Sequence, residues 1–207
     1  AQAKFATGQV DHTLLLGVDY QRTRNDIDAA FGTVTPLNAI NPQYGNDTAI
    51  GTPFPYHYLN KQEQTGLYAQ DQMEWNRWVL TLGSRYDYAT TSALNRSSST
   101  EVKNHDQAFT WRGGLNYVFD NGVAPYFSYS ESFIPNTGTT SGGQPFDPSR
   151  AKQYEAGVKY VPKERPVVLT AAVYQLTKTK NLTAEPGNVN FSVQSGEIRS
   201  RGVELEA

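Results

Sequence analysis

Apolar and polar positions alternate one for one along much of this chain, the period of a β-strand with two unlike faces. From His12 to Arg22, Leu14, Leu16, Val18 and Tyr20 fall on one face and Thr13, Gly17, Asp19 and Gln21 on the other. From Trp78 to Tyr88, Trp78, Leu80, Leu82, Tyr86 and Tyr88 oppose Val79, Thr81, Gly83, Arg85 and Asp87. Phe109, Trp111, Leu115, Tyr117 and Phe119 oppose Thr110, Arg112, Gly114 and Asn116. Tyr154, Ala156, Val158 and Tyr160 oppose Gln153, Glu155, Gly157 and Lys159, and Val203, Leu205 and Ala207 oppose Gly202, Glu204 and Glu206. Two further strands are less clean. Gly66 to Trp75 carries Asp71 on its apolar face, and Pro166 to Thr179 has apolar residues on both.

The connections alternate as well. Glu74-Trp75-Asn76-Arg77, Phe119-Asp120-Asn121-Gly122 and Val161 to Pro166 are short links, the second a good hairpin signal. Between them, Thr23 to Asn60, Thr91 to His105, Ile134 to Arg150 and Asn181 to Asn190 are long polar segments rich in Gly, Pro, Asn, Ser and Thr, and are expected to be loops. Short turns at one end and long loops at the other is the asymmetry of an outer-membrane barrel, whereas a soluble sandwich keeps most connections short. Aromatics gather near strand ends (Trp75, Trp78, Tyr86, Tyr88, Trp111, Phe119, Tyr126, Phe127, Tyr129, Tyr160), where interfacial girdles sit. The fold class is all-β, and alternation alone leaves a soluble sandwich or lipocalin-like barrel open as the alternative.

Composition changes the picture in one respect. Hydrophobic residues are 38% of the chain and the mean hydropathy is -0.58, with no apolar run near the roughly 18 residues of a membrane-crossing helix. A helical membrane protein is excluded; a barrel, apolar only at every second position, is not. Thirteen Tyr and nine Phe against one Met favour strands. A net charge of -2 gives no footprint for nucleic acid, and the absence of cysteine removes disulfides and thiolate metal sites. Ala1 to Phe5 has neither the basic nor the apolar region of a signal peptide, which predicts a cytoplasmic protein or an internal fragment.

Four segments, in order, resemble the strands of TonB-dependent siderophore receptors. Gly66-Leu67-Tyr68-Ala69-Gln70-Asp71-Gln72, followed by Leu80 to Asp87, is similar to that family's GLYxQDQ … LxLGxRYD hairpin. Tyr126 to Pro135, Lys152 to Tyr160 and Glu197 to Glu206 are similar to its YxSYSxSFxP, xQYExGxKY and GExRSRGVExE strings. Within the family, Lys4 to Gly8, Asp11 to Leu15, Arg24 to Ile27, Phe109 to Gly114 and Asn116 to Gly122 resemble the subgroup that takes ferric hydroxamates of the ferrichrome type. The resemblance implies an outer-membrane receptor of a Gram-negative bacterium, with a barrel of about 22 strands plugged by an N-terminal domain. Residues 1–207 would supply about eight or nine strands of that barrel, without the plug, its TonB box or the closing strand. It also implies a ferric hydroxamate siderophore as ligand, TonB as partner through the plug, lipid and lipopolysaccharide around the wall, and loops that phages or colicins exploit.

A neutral iron chelate offers apolar faces and a few acceptors, which suits aromatic side chains. Phe31 falls where the subgroup places a ligand-facing aromatic, and Tyr44 and Tyr56 of the same segment are further ligand-binding candidates. Phe54 and Tyr58 lie in the same segment, and for these tyrosines and Phe54 the alternative role is to pack the loop on itself. Arg85, Asp87, Arg112, Glu155, Glu197, Arg199, Arg201 and Glu204 are expected to face the lumen, as plug contacts or as a charge ladder between strands. His12, His57 and His105 are far apart in sequence with no carboxylate at ligand spacing, so no metal site is expected and the iron arrives already chelated. No Ser/His/Asp set can be assembled from spacing, and Gly142-Gly143 lacks a following helix, so neither an enzyme nor a phosphate cradle is expected. A passive porin, the third class, would need an inward-folded loop with opposed rows of charge.

Overall fold

A computed structural model of the chain describes residues 1–29, 36, 38–42, 44, 56–162 and 166–207, and the side chains at 56, 189 and 190 lie outside that description. Nine strands form one antiparallel meander in the order β1-β2-β3-β4-β5-β6-β7-β8-β11: β1 (Gln2–Thr7), β2 (Val10–Ala29), β3 (Tyr56–Trp75), β4 (Trp78–Asn95), β5 (Thr100–Tyr117), β6 (Val123–Ile134), β7 (Ser149–Tyr160), β8 (Leu169–Thr179) and β11 (Glu197–Glu206). A small hairpin, β9 (Leu182–Glu185) with β10 (Asn188–Gln194), is inserted between β8 and β11.

Among the described residues this sheet has no partner layer. Its surface of 14224 Å² far exceeds the about 9,600 Å² expected of a globular chain of 23.0 kDa. The exposed apolar side chains gather on one face. Leu16, Val18, Leu67, Leu82, Phe109, Phe127, Val158, Val173 and Val203 are all exposed and all point the same way in the observed registers. A contiguous apolar face of this extent needs a nonaqueous neighbour. Trp75, Trp78, Phe119 and Tyr160 border it at one end and Tyr88, Phe109, Trp111 and Tyr154 at the other. The ten residue steps from Trp78 to Tyr88, tilted as barrel strands are, rise roughly 25 Å, the height of an outer-membrane apolar band.

Three expectations need correction. Thr91 to His105 is not a long loop: β4 and β5 pair continuously to Asn95↔Thr100 and turn at 96–99, where Asn95 Oδ1 accepts the amides of Ser97 (2.9 Å) and Ser98. Thr23 to Asn60 is likewise shortened at both ends, because β2 runs on to Ala29 and β3 begins at Tyr56, paired residue for residue. Outside lipid neither face of a strand needs to be apolar, so the hydropathic alternation vanishes while the strand continues. Asn181 to Asn190 contains most of the β9–β10 hairpin rather than only loop. Strand β1 (Gln2–Thr7) is an addition that its short, mixed sequence did not announce.

The stray carboxylate of the Gly66 to Trp75 strand also finds its explanation. His12 and Asp71 both point to the apolar face; His12 Nδ1 lies 2.7 Å from Asp71 Oδ2, and His12 Nε2 lies 2.7 Å from Thr7 Oγ1. Phe5 stacks flat on the imidazole, with centroids 4.7 Å apart. The line Thr7–His12–Asp71 thus joins β1, β2 and β3 on the lipid-facing side just inside the lower girdle, where an unpaired polar group is costly.

Candidate functional site

The face opposite the apolar one is the lumen wall, and the sheet registers decide which side chains reach it. Arg85 is its centre. Its Nε donates to both oxygens of Asp87 at 2.9 Å and its Nη2 to Asp19 at 2.9 Å, while Gln64 donates to Asp87 at 2.8 Å. Asp87 is almost fully buried, so this arginine with two carboxylates is a satisfied network across β2, β3 and β4 rather than a free charge. Arg112 donates to Gln70 two strands away. Glu155 accepts from Tyr126 Oη at 2.7 Å and from Gln153 at 2.9 Å. These residues, with Glu204, lie on the lumen wall as the sequence leads one to expect.

Glu197, Arg199 and Arg201 do not. In the unbroken β11–β8 register they share the face of Val203, and Ile198, Ser200, Gly202, Glu204 and Glu206 are the residues of that stretch that face inward with Tyr174. Their charge is tolerated on the outer face because they stand beyond the apolar residues Val203 and Leu205, level with or above Tyr154 and Tyr129. Arg201 donates to Gln175 (2.7 Å) and Arg199 pairs with Glu197.

At the extracellular end the β6–β7 loop, residues 135–148, folds back over the inner face of β4 and β5. Phe146 is 4% exposed, and Asn104 donates to its carbonyl at 3.1 Å. Thr91 Oγ1 reaches the carbonyl of Asn136 at 3.4 Å. There is room for this because the β5–β6 ladder is confined to Arg112–Asn116 against Tyr126–Ser130. The β9–β10 hairpin clamps the loop from the other side. Gln194 donates to Asp147 O (2.6 Å) and accepts from the Asp147 amide (2.8 Å), Lys180 pairs with Asp147 (2.7 Å), and Ser141 donates to Glu185 (2.9 Å). Burial, with the Asp147 carboxylate nearby, pushes the Asp106 carboxyl up from the usual carboxylate range, against a hydrogen bond from Asn104.

Of the ligand candidates, Phe31 lies outside the described residues, as does Phe54. Tyr44 is described and exposed. Tyr56 opens β3 opposite Ala29, which sets its backbone at the rim of the wall. Tyr58 accepts a hydrogen bond from Asn95 at 3.3 Å, an inter-strand contact.

Two constellations that sequence spacing did not suggest come together. Asp26, Asp28 and His57 bring ligand-type atoms close to one another. Arg96 closes the group: it donates to Asp26 at 2.7 Å and lies 2.6 Å from His57 Nε2, while His57 Nδ1 faces Asp28 at 3.0 Å. The Arg96 hydrogen bond holds the Asp26 carboxyl below its ordinary range. A cation would have to displace that guanidinium, so the cluster is an ion-pair network that ties β2, β3 and the β4–β5 turn. The other is Thr7–His12–Asp71, a hydroxyl–imidazole–carboxylate line. Phe5 covers its imidazole, and it links three strands of the wall. Both could have been suspected from strand parity, since each places its members on one face of neighbouring strands.

Comparison with known proteins agrees with this architecture. The family model described as TonB dependent receptor-like, beta-barrel matches residues 2–207. The chain is 55% identical to the ferrichrome outer membrane transporter/phage receptor of Escherichia coli (strain K12), over 100% of this chain and 28% of that protein. It is 41% identical to the ferrioxamine B receptor of Salmonella typhimurium (strain SL1344), over 97% of this chain and 28% of that one. The crystal structure of the ferric-catecholate import receptor Fiu from K12 E. coli superposes with a TM-score of 0.75 at 18% identity, covering 99% of this chain and 33% of that one, a likeness of fold alone. The chain therefore spans under a third of the length of the relatives it matches. With nine consecutive antiparallel strands, an apolar outer face and this match along nearly its whole length, the chain belongs to the TonB-dependent receptor-like β-barrel family.

Proposed function

We propose that the protein of which this chain is a part is an outer-membrane receptor that captures a ferric hydroxamate of the ferrichrome type and imports it with energy from TonB. The observation that carries the reading is the 55% identity to the ferrichrome transporter across the whole chain, loops included. A second relative named for a hydroxamate, the ferrioxamine B receptor, supports the same chemical class. The wall described above is compatible with passage rather than chemistry: its central arginine, Arg85, is held by Asp19 and Asp87, and the rim carries aromatic residues. In this reading Phe31, Tyr44 and Tyr56 contact the chelate by their apolar ring faces, a plug domain supplied by the rest of the protein couples to TonB, and the outer loops offer phages a foothold.

The test is intrinsic fluorescence of the intact receptor. Ferrichrome should quench it saturably while a ferric catecholate leaves it unchanged; equal response to both, or to neither, would remove the hydroxamate assignment. One observation favours a second reading, a passive porin, because residues 135–148 do fold inward. That loop presents a buried Phe146 and a paired Asp147 rather than opposed rows of charge. Uptake of ferrichrome that persists without TonB would favour the porin.

A further inference from the structure

The lumen wall is rich in glycine, and each of several glycines lies under a long side chain from the neighbouring strand. Gly17 stands directly opposite Tyr68, and a Cβ added there would collide with the Cζ and hydroxyl end of the tyrosine. Gly202 stands opposite Tyr174, where a Cβ would meet two ring carbons and the hydroxyl oxygen at 2.7 Å. Gly157 stands opposite Tyr126, again with ring atoms at 2.7 Å. Arg85 covers Gly66 in the same manner, and Arg112 covers Gly83 with its stem 3.1 Å from the added carbon. The pattern recurs on β2/β3, β3/β4, β4/β5, β6/β7 and β8/β11, always on the inward face. Inside a strand, glycine forfeits packing and entropy, so a repeated glycine opposite a bulky side chain needs a compensating use.

We infer that these glycines are seats that hold Tyr68, Tyr174 and their counterparts flat against the wall, and that this keeps the lumen clear for the translocation step. The side chains would otherwise stand roughly perpendicular to the sheet and project inward. A seated ring instead spends its length along the wall, covers the neighbour's bare backbone, and can use its hydroxyl within the sheet, as Tyr126 does with Glu155. The glycines are thus positioning residues for transport, remote from the extracellular rim. The inference rests on the receptor reading above for its functional half; the seating is geometric.

The experiment uses the full-length receptor in the outer membrane, with Gly17→Ala and Gly202→Ala, positions where only a tyrosine side chain opposes the added carbon. Folding is read by heat-modifiable gel mobility, binding and uptake with iron-labelled ferrichrome, and ring position by tetranitromethane nitration of Tyr68 or Tyr174 followed by mass spectrometry. The expected result is a folded barrel with unchanged surface binding, a loss of uptake rate, and faster nitration of the unseated tyrosine. Removing the ring in Gly17→Ala/Tyr68→Ala or Gly202→Ala/Tyr174→Ala should restore uptake. Normal uptake in both single variants would overturn the inference. So would a loss that the double variants fail to restore, since the glycine would then serve the backbone alone. If the wild-type receptor takes up no ferrichrome, the functional reading fails, and nitration still decides the seating: equal rates in wild type and single variants would overturn it.

Discussion

Strands β2 to β5 run 18 to 20 residues, and β4 and β5 meet at the top in the turn at 96–99; β6, β7, β8 and β11 run 10 to 12 residues and hand over to folded loops. The first half builds its extracellular rim as an upright fence, with the ladder itself satisfying the backbone. The second half ends near the membrane surface and spends its remaining chain on residues 135–148 and the β9–β10 hairpin. Those lean onto the inner face of the fence through Phe146, Asn104 and Asn136. The comparison teaches that the two halves are complementary: the long strands provide a wall, and the short ones provide what lines it. It also places the narrowing of the vestibule on the β6–β7 loop.

The largest expected effect breaks that contact. Phe146→Ala removes the one large apolar side chain buried among the described loop residues, and should cost about 3 kcal/mol of local stability. Limited proteolysis on intact cells should then cut within 135–148 while the β4–β5 turn stays resistant. Cleavage at both sites would show that the two halves are not distinct.

Next comes the membrane-level lock of the first half. Asp71→Ala leaves His12 facing lipid with one partner, and His12→Ala leaves the carboxylate with none; each should cost about 2 kcal/mol. Thermal loss of the compact gel band measures it. The double variant should cost less than the sum of the two singles.

A smaller effect concerns the ligand. Phe31→Ala should weaken ferrichrome binding by about 1 kcal/mol if its ring stacks on the chelate; titration by fluorescence quenching reads this, and unchanged affinity would make Phe31 a packing residue.

The smallest sharpens the seam between the halves. The folded-state pKa of Asp106 is raised above the unfolded value, so its contribution is most favourable below the ordinary carboxylate range and is lost as pH rises through the raised value. Asp106→Asn should therefore stabilise the receptor slightly at neutral pH, by less than about 1 kcal/mol, and that gain should vanish in acid. Thermal midpoints at the two pH values test the sign.

Within the lipid band most strands, though not β1, are legible, because one face must be apolar there and period two follows. Above the band that constraint lapses, which is why Thr91 to His105 reads as loop although it is mostly ladder. The lumen glycines are visible in the sequence, but the side chains that cover them are not, since their cross-strand partners depend on register. Glu197, Arg199 and Arg201 were assigned inward by charge, against their own parity with Val203. Parity was the better guide, because charge is excluded only from the lipid-facing band and not from the outer surface above it. His12 and Asp71 share a parity too, and their pairing could have been read from the hairpin order. The ligand residues were legible only through family resemblance; neither periodicity nor backbone geometry distinguishes a ring that binds from one that packs.

The central claim is that this wall belongs to a TonB-powered importer of ferric hydroxamates. The most direct measurement is iron-labelled ferrichrome uptake by cells that depend on the full-length receptor, with and without TonB. The account predicts saturable uptake that stops when TonB is removed, while surface binding persists. Uptake that continues without TonB, or receptor-dependent uptake of a ferric catecholate in place of ferrichrome, would contradict it.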